Sequence, residues 1–199
     1  MLRNILKAIR LSLVLWVLTG IIYPLLILGV GQLPALREKA TGSIVYNLQN
    51  QPYGSSLIGQ VFVSERYFRG RPSPIRYSQG KLGRPTGVSG ATNLAPSNPE
   101  LLKRIIEAGN ELRDENLKPE ADLIYTSASG LDPHISILAA ATQLERVARA
   151  RDIEKEEVLQ MIRRSIDGRF LGIFGEPGVN VLKLNYTLDL NEFNRQQSK

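Results

Sequence analysis

Residues 11–30 have the sequence LSLVLWVLTGIIYPLLILGV, and no charged side chain occurs from Leu11 to Leu36. As a helix, about 20 apolar residues cross a hydrocarbon layer of roughly 30 Å. Lipid offers no partners to backbone N–H and C=O groups, so a segment that enters it must be helical. The stretch therefore predicts one transmembrane helix, at residues 11–31.

The charges on the two sides of this stretch predict its orientation. Three basic residues and no acidic residue come before it: Arg3, Lys7 and Arg10. After it, Glu38 stands between Arg37 and Lys39. An excess of basic residues marks the cytoplasmic side of a span. We therefore predict a cytoplasmic N-terminus at 1–10, the transmembrane helix at 11–31 and an extracytoplasmic domain at 32–199.

The same stretch has a second interpretation, a cleaved signal peptide, in which Gly29 and Gly31 serve as small residues before the cut. Signal peptides have an apolar region of only about 7–15 residues. This stretch is longer and carries Pro24 in its interior, which favours a retained anchor.

One side of the predicted helix differs from the rest. Its residues recur every four positions: Ser12, Trp16, Gly20, Pro24 and Leu28. Small residues let a second helix approach closely in lipid, so we interpret Gly20 and Pro24 as a candidate contact with a partner helix. The alternative is that Gly and Pro are simply tolerated in spanning helices.

Composition excludes several functional classes. The chain has 25 basic and 19 acidic residues, but three of the basic ones precede the span, and no basic stripe with interleaved aromatics stands out, so no nucleic-acid partner is predicted. Cysteine is absent, which excludes disulfides and thiolate ligands. The single histidine, His134, argues against a His-rich zinc site. No metal site is predicted.

After the span, the hydrophobic pattern predicts an α+β domain of mixed helices and strands. Spacings of three and four predict three helices: from the Asn98 cap to near Asn116, over Ser136–Arg151, and from the Asp152 cap to Gly168. β-prone runs predict four strands: Ile44–Leu48, Ser56–Val63, Leu123–Thr126 and the alternating Leu182–Leu190. Such a set suits an antiparallel or mixed sheet with helices packed on one face.

The chain carries no recognisable catalytic machinery. The phosphate-binding pattern Gly-x4-Gly-Lys-Ser/Thr is absent. Four residues of a formal nucleophilic set share one loop: Ser127, Ser129, Asp132 and His134. Residues so close on one loop rarely point at each other, and no Gly-x-Ser-x-Gly elbow is present. We interpret Asp132 as a turn or capping acid and His134 as a capping or packing residue.

Seven segments form an ordered set along nearly the whole chain. Three lie in or soon after the span: TGIIYPLL (19–26), SLIGQ (56–60) and YFRGRPS (67–73). Four follow: NLAPSNP (93–99), TSASGLDPHIS (126–136), QLERVARAR (143–151) and GEPGVNVLKLN (175–185). No single segment is a mechanistic motif, but the ordered set is highly specific. It resembles the C subunit of the Kdp-type potassium-transporting P-type ATPase.

The resemblance implies a small subunit of a bacterial inner-membrane complex that imports potassium at the expense of ATP. Besides the lipid bilayer, the implied partners are a channel-like potassium-conducting subunit, a phosphorylated pump subunit and a very small single-helix subunit. This sequence lacks the Asp-Lys-Thr-Gly phosphorylation motif and the Thr-Val-Gly-Tyr-Gly filter. It is therefore expected to be a non-catalytic subunit that neither pumps nor conducts alone.

The family subunit is described as a catalytic chaperone that raises the ATP affinity of the pump subunit, with a Ser-Gly-Gly-Ser/Gln stretch invoked for nucleotide contact. The corresponding positions here are Ser89-Gly90-Ala91-Thr92-Asn93, so the second glycine and the following serine are replaced. The candidates for such a contact are Ser89, Gly90, Thr92 and Asn93, although this stretch also has the composition of an anion nest or an ordinary turn.

The predicted topology keeps the domain away from cytoplasmic ATP. We therefore predict no bound cofactor, ATP acting at the pump subunit, potassium as the transported ion and an allosteric influence on ATP use. The candidate partner-binding residues are Gly20, Tyr23, Pro24, Arg71, Asn98 and Asp132.

The favoured role is that of an accessory subunit whose span packs on the channel-like subunit and whose outer domain sits over the potassium entrance. One alternative is a membrane-anchored extracytoplasmic module that binds or senses a small ligand with the loop Arg69–Asn98. A further alternative is an anchored hydrolase that uses Ser127 and His134.

Overall fold

The computed structural model describes residues 1–80 and 87–197. Contacts divide the chain into two compact units, Met1–Ile44 and Val45–Lys199. The predicted segments 1–10, 11–31 and 32–199 are defined relative to a bilayer and stay a prediction. Within the predicted loop Arg69–Asn98, residues 81–86 lie outside the described residues.

One long helix dominates the first unit. It comprises α1 (Leu2–Val17), a π-helical segment (Leu18–Ile22) and α2 (Tyr23–Gly31). None of its residues is buried. Among the described residues it is the one helix long and apolar enough to cross a membrane. The helix begins well before the apolar stretch, so the basic residues that precede the predicted span belong to it.

The π-helical segment has a local cause in Pro24. A proline ring collides with the carbonyl group four residues earlier, here that of Gly20, and offers it no N–H. A wider turn at this point accommodates the ring. Thr19 supports the preceding turn, because its hydroxyl donates to the Leu15 carbonyl oxygen at 2.8 Å. A shorter helix, α3 (Pro34–Ala40), follows.

A two-stranded hairpin stands near the start of the second unit, where β1 (Ile44–Tyr46) pairs with β2 (Pro52–Ser55). The strand predicted over Ser56–Val63 is wrong, because this segment joins no sheet. Its Gly59 N–H donates instead to the Leu131 carbonyl oxygen at 2.9 Å. A tertiary contact with a loop has replaced the predicted strand pairing.

The main sheet has three short strands: β3 (His134–Ile135), β4 (Ile166–Asp167) and β5 (Gly178–Asn180). The order is β3-β5-β4, and both pairings are antiparallel. Val179 in the central strand lies opposite Ile135 on one side and Ile166 on the other. The predicted α+β domain with an antiparallel or mixed sheet is confirmed at this level.

Two predicted helix starts are confirmed. α4 (Pro99–Asp114) begins after Asn98, whose side chain accepts from the Glu100 N–H at 2.9 Å. α6 (Ile137–Arg151) begins after Ser136, whose hydroxyl accepts from the Ala139 N–H at 3.1 Å. Both caps are local hydrogen bonds between residues close in sequence, which a single sequence can reveal.

Two other expectations are wrong. The predicted strand Leu123–Thr126 overlaps a short helix, α5 (Ala121–Ile124). Asp152 does not cap α7 (Lys155–Arg164); it ends α6 in a left-handed conformation with φ +53°, and Glu154 precedes α7. The cap prediction failed because aspartate also tolerates left-handed backbone.

The largest error concerns α8 (Val181–Gln197), which replaces the strand predicted over Leu182–Leu190. Asn180 caps this helix by accepting from the Lys183 N–H at 3.1 Å. Leu184 and Leu188 are buried together one turn apart, and Asn185, assigned by the alternation to the solvent face, is also fully buried.

The core of the second unit lies between α6, α7, α8 and β5. Its largest fully buried apolar side chains are Phe68, Ile135, Val147, Val158, Ile162, Val179, Val181, Leu184 and Leu188.

Candidate functional site

The loop from Ser127 to Asp132 collects polar contacts from several segments. Its Ser129 carbonyl oxygen accepts from the Gly90 N–H at 2.8 Å and from the Ser89 hydroxyl at 2.9 Å. Gly130 has φ +69°, and a Cβ there would lie 2.6 Å from the Gly90 carbonyl oxygen. The close approach and the left-handed backbone both require glycine at position 130.

Six alternating acidic and basic side chains form a continuous line that we call the charged row: Asp122, Arg71, Asp132, His134, Asp167 and Lys183. Arg71 joins its first two acids, with Nη2 3.4 Å from an Asp122 oxygen and Nη1 3.2 Å from an Asp132 oxygen. All six side chains are partly exposed to solvent. The row is therefore both ordered and accessible.

His134 lies at the centre of the charged row. Its Nε2 is 2.8 Å from an Asp167 oxygen, and its Nδ1 is 3.8 Å from an Asp132 oxygen. Lys183 Nζ completes the line 2.9 Å from Asp167. The carboxylates of Asp132 and Asp167 raise the pKa of His134 above its ordinary value against the opposing effect of burial. The geometry and charge therefore favour the protonated imidazole.

The pKa values of the two aspartates next to His134 shift in the opposite direction. Burial alone would raise the pKa of Asp132, but His134 and Arg71 outweigh it and hold that pKa below the ordinary value. His134 and Lys183 likewise overcome burial and lower the pKa of Asp167. Each charged form in the row thus supports its neighbours.

The small sheet brings His134 and Asp167 together. They lie on β3 and β4, the two outer strands, which are separated by β5. In β5, Gly178 lies opposite Asp167 and His134 is paired with Asn180, two residues further along. A Cβ at Gly178 would lie only 3.2 Å from the His134 Cβ. Because glycine leaves this position open, the imidazole reaches across the central strand.

A second polar arrangement holds residues 65–69, which we call the clamped segment. It belongs to no sheet, so side chains of α6 and α8 meet its backbone groups. Asn185 binds both backbone groups of Phe68, accepting from its N–H and donating to its carbonyl oxygen, each at 2.9 Å. Gln143 does the same for Arg69, at 2.8 and 3.1 Å.

Two arginines of α6 complete this clamp. Arg146 donates to the carbonyl oxygens of Glu65 and Tyr67, at 2.7 and 3.0 Å. Arg151 donates to the Arg66 carbonyl oxygen at 2.7 Å. Buried backbone groups require such partners. The clamped segment begins in a turn, closed by the Tyr67 N–H that donates to the Ser64 carbonyl oxygen at 3.1 Å, and helix side chains are the partners of its backbone groups.

Arg151 itself is almost fully buried. Its guanidinium donates to Asp189 and Glu192, both at 2.8 Å, and lies 4.7 Å from the centre of the Tyr67 ring. Its side chain is only 2% exposed. The hydroxyls of Tyr53 and Tyr67 also donate to Asp189, at 3.0 and 3.2 Å. This cluster joins the clamped segment to α8.

A cleft of about 340 Å³ adjoins the clamped segment and the charged row. Four arginines contribute to its lining: Arg69, Arg71, Arg76 and Arg104. Tyr77 closes one side; it is 6% exposed, has φ +54° and donates its hydroxyl to the Arg71 carbonyl oxygen. The described residues contain no group of His, Cys, Asp or Glu suited to hold a metal ion.

The structure unites some of the predicted site residues and separates others. Arg71 and Asp132 form an ion pair, whereas Asn98 serves as the cap of α4. Gly20, Tyr23 and Pro24 belong to the first unit, where a Cβ added at Gly20 would touch only the Trp16 ring at 3.8 Å. Gly20 therefore leaves space beside the helix.

The candidates for nucleotide contact lie at the surface of the second unit. Ser89 and Gly90 already donate to the Ser129 carbonyl oxygen. Thr92 is partly exposed, and Asn93 is exposed with φ +52°. Their role toward nucleotide stays a prediction.

The loop that suggested a nucleophilic set has another arrangement. The Ser127 and Ser129 hydroxyls lie 3.1 Å apart, and both ring nitrogens of His134 face carboxylates. Among the described residues, no hydrogen bond joins a serine to His134. His134 does not cap α6 either, because Ser136 takes that position.

Sequence reasoning missed Asp122, Asp167 and Lys183 in the charged row, and Gln143, Arg151 and Asn185 in the clamp. Asp167 and Lys183 carried no usable signal, since a charged residue at the end of a predicted helix or on the solvent face of a predicted strand is ordinary at a surface. Gln143 offered a weak signal, because it is a polar residue within a predicted helix. Asn185 offered none, because the alternation assigned it to the solvent face.

The class of protein that these observations define has one candidate membrane-spanning helix, within the part of the chain that the structure describes, and a small α+β domain. The family described as "KdpC: K+-transporting ATPase, c chain" matches residues 5–190. The chain belongs to this family of potassium-transporting ATPase subunits.

Named relatives match this chain over nine tenths or more of their length. The "Potassium-transporting ATPase KdpC subunit" of Anabaena sp. (strain L31) is 61% identical over 199 residues, which covers 100% of this chain and 99% of the relative. "Potassium-transporting ATPase KdpC subunit 2" of Nostoc sp. (strain PCC 7120) is 63% identical over 98% of both chains. A relative from Bacillus cereus (strain ATCC 14579), with the same name as the Anabaena protein, is 42% identical over 90% of this chain and 92% of its own.

Proposed function

We propose that this protein is a non-catalytic accessory subunit of an ATP-driven potassium importer in the bacterial inner membrane, needed to assemble and stabilise the complex. Its partners are a channel-like potassium-conducting subunit, a P-type pump subunit and a small single-helix subunit. The observation that carries this proposal is the helix Leu2–Gly31, which has no buried residue, is long and apolar enough to cross a membrane and belongs to a chain of the KdpC family.

The span supplies the assembly contact in this proposal. Gly20 leaves the helix surface open beside Trp16, and the π-helical segment around it widens the helix at the same level. Helices associate in lipid by close packing at small residues. The face around Gly20, Tyr23 and Pro24 is therefore the proposed contact with the channel-like subunit.

The orientation places the N-terminus in the cytoplasm and the second unit outside, over the potassium entrance. The basic residues before the span support this orientation. A domain outside the cytoplasm does not meet ATP, so an effect on the ATP affinity of the pump subunit is allosteric in this proposal. The existing bonds of Ser89 and Gly90 to Ser129 are consistent with a structural role for that stretch.

Gly20→Ile tests the assembly contact. We expect co-purification of the channel-like subunit to fall about tenfold, which equals about 1.4 kcal/mol and lies within the range of single helix contacts in lipid. The matched control is Gly29→Ile, on the same helix, where an added Cβ also finds open space. Equal recovery of the partner with both variants would contradict the proposed interface.

Orientation needs its own measurement. A tag after Lys199 should be cleaved by protease added to intact spheroplasts. Protection of the tag until the membrane is dissolved would place the domain inside and make direct contact with nucleotide plausible again.

A second candidate function is a membrane-anchored extracytoplasmic module that binds a small ligand, favoured by the arginine-lined cleft of about 340 Å³. Genes beside this one discriminate the two, since a transporter subunit should be encoded next to the channel-like and pump subunits. Binding of an anionic ligand to the purified full-length chain without its partners would support the second candidate.

A further inference from the structure

The connection between β4 and β5 exposes an unusual amount of apolar surface. It contains four large apolar side chains within five positions: Phe170, Leu171, Ile173 and Phe174. Their exposed fractions are 71%, 73%, 72% and 62%. We call residues 170–174 the apolar tip. Monomeric soluble domains seldom leave such a cluster open to water, so its exposure indicates a contact.

The backbone of the apolar tip is largely self-sufficient. Phe170 and Phe174 exchange hydrogen bonds, at 2.8 and 3.0 Å. The Ile173 N–H donates to the Phe170 carbonyl oxygen, and the Gly172 N–H donates to that of Arg169. Entry into lipid is costly for unpaired backbone groups. A tip whose amides are mostly paired internally avoids much of that cost.

Basic residues accompany the apolar tip without acidic partners. Arg163 and Arg164 end α7, and Arg169 stands directly before the tip; all three are exposed. None of them forms an ion pair with any described residue. The nearby Asp167 is engaged by His134 and Lys183. Apolar side chains flanked by unpaired cations match the interface of a bilayer that contains anionic lipids.

The chain tethers the unit that carries this tip to the candidate span. The candidate span ends at Gly31 and the second unit begins at Val45, so only a short connection separates them. Because the span tethers the second unit, the bilayer is present at a high effective concentration. A weak insertion of the tip is then enough to keep it bound.

We propose that the apolar tip inserts into the interface of the bilayer that holds the span, while Arg163, Arg164 and Arg169 contact the phosphates of anionic lipid headgroups. The domain then has a second membrane attachment, which restricts its orientation. This attachment does not depend on the other subunits or on the side of the membrane that the domain occupies.

The absence of cysteine allows one spin label to be placed at will. We choose Ile173→Cys in the tip and, as the matched control, Val63→Cys, an apolar residue that is 76% exposed elsewhere in the same unit. The full-length chain is reconstituted without partners into nanodiscs of phosphatidylcholine, with and without phosphatidylglycerol. Collisions with oxygen, which enters lipid, and with a nickel chelate, which stays in water, report the depth of each label.

With phosphatidylglycerol present, the label at 173 should show frequent oxygen collisions and lose nickel collisions, corresponding to about 5–10 Å of insertion. The label at 63 should stay accessible to nickel. Replacing the three arginines by glutamine, or omitting phosphatidylglycerol, should return the label at 173 toward water.

Three results would overturn the proposal. Free access of nickel to position 173 in both nanodiscs would show a tip that stays in water. Exclusion of both reagents, seen only after the other subunits are added, would assign the tip to a protein contact. Equal depth with and without phosphatidylglycerol would remove the role given to the arginines. Circular dichroism of Ile173→Cys controls for folding, and none of these results bears on the accessory-subunit role.

Discussion

The clamp around Arg151 and the charged row both use ionic side chains, but in opposite surroundings. The side chain of Arg151 is 2% exposed, whereas those of His134, Asp167 and Lys183 are 36%, 44% and 43% exposed. A buried cation must keep its partners, because the interior cannot solvate it. A half-exposed row exchanges its partners with water at little cost. We therefore expect the clamp to contribute more to the stability of the fold than the charged row does. The charged row remains available to other molecules.

Removal of Arg151 should have the largest effect. Arg151→Ala takes the donor from the Arg66 carbonyl oxygen and leaves Asp189 and Glu192 without their buried partner. We expect the free energy of unfolding to fall by about 3 kcal/mol, at the low end for buried pairs because water reaches the two acids. Urea denaturation measures it.

Arg149→Ala is the control on the same helix, since its side chain is 79% exposed and, within residues 1–80 and 87–197, pairs only with Glu145. It should change stability by less than about 0.5 kcal/mol. Similar losses for Arg149→Ala and Arg151→Ala would break the contrast between buried and exposed charge.

Gln143→Ala should rank second. The side-chain amide of Gln143 is the partner of both backbone groups of Arg69, and Gln143 is fully buried. Leaving buried polar groups unpaired costs about 2 kcal/mol. Gln160, exposed on α7, provides the matched control Gln160→Ala, which should be almost neutral. Urea denaturation measures both changes in the free energy of unfolding. A change near zero for Gln143→Ala would mean that Gln143 does not hold the clamped segment.

The smallest effect should come from the charged row and depend on pH. His134 has a pKa raised above 6.5 in the folded protein, so its stabilising contribution is complete below about pH 6.5 and is lost as pH rises through the raised pKa. We expect the free energy of unfolding of the wild-type protein to exceed that of His134→Gln by about 0.5–1 kcal/mol near pH 6, after allowance for solvent screening. The difference should fall toward zero in mild alkali.

Urea denaturation of both proteins across this range provides the comparison. A constant difference at every pH would show that packing, rather than charge, accounts for the effect of His134. The lowered pKa values of Asp132 and Asp167 confine the test to pH values above their titration.

Predictions from the sequence succeeded for interactions between residues close along the chain and failed for interactions between distant ones. The caps Asn98 and Ser136 act on amides two and three residues away. Asn98 was predicted as a cap, and Ser136 was predicted as the start of a helix. The row unites Arg71 with Asp132 and His134 with Asp167, pairs far apart along the chain. Arg71 and Asp132 were singled out one by one, but their contact was not foreseeable from spacing.

The strand predicted over Leu182–Leu190 shows that a local hydrophobic pattern can fit two kinds of secondary structure. Alternation along that stretch is compatible with a sheet, but its leucines at 184 and 188 also satisfy the spacing of a helix. The cap at Asn180 and the burial of Asn185 against Phe68 favour the helix. The cap is a local signal that the strand prediction overlooked, whereas the burial of Asn185 depends on where the chain has already folded.

By itself, the sequence determined the candidate span and the starts of two helices, because solubility in lipid and capping depend on residues that are close along the chain. The tertiary structure alone decided that Leu182–Leu190 is helical, that side chains of two helices bind the backbone of residues 65–69, and that His134 meets Asp167 across Gly178. Each of these outcomes requires groups distant in sequence to arrive at one place, where burial and charge then select the arrangement.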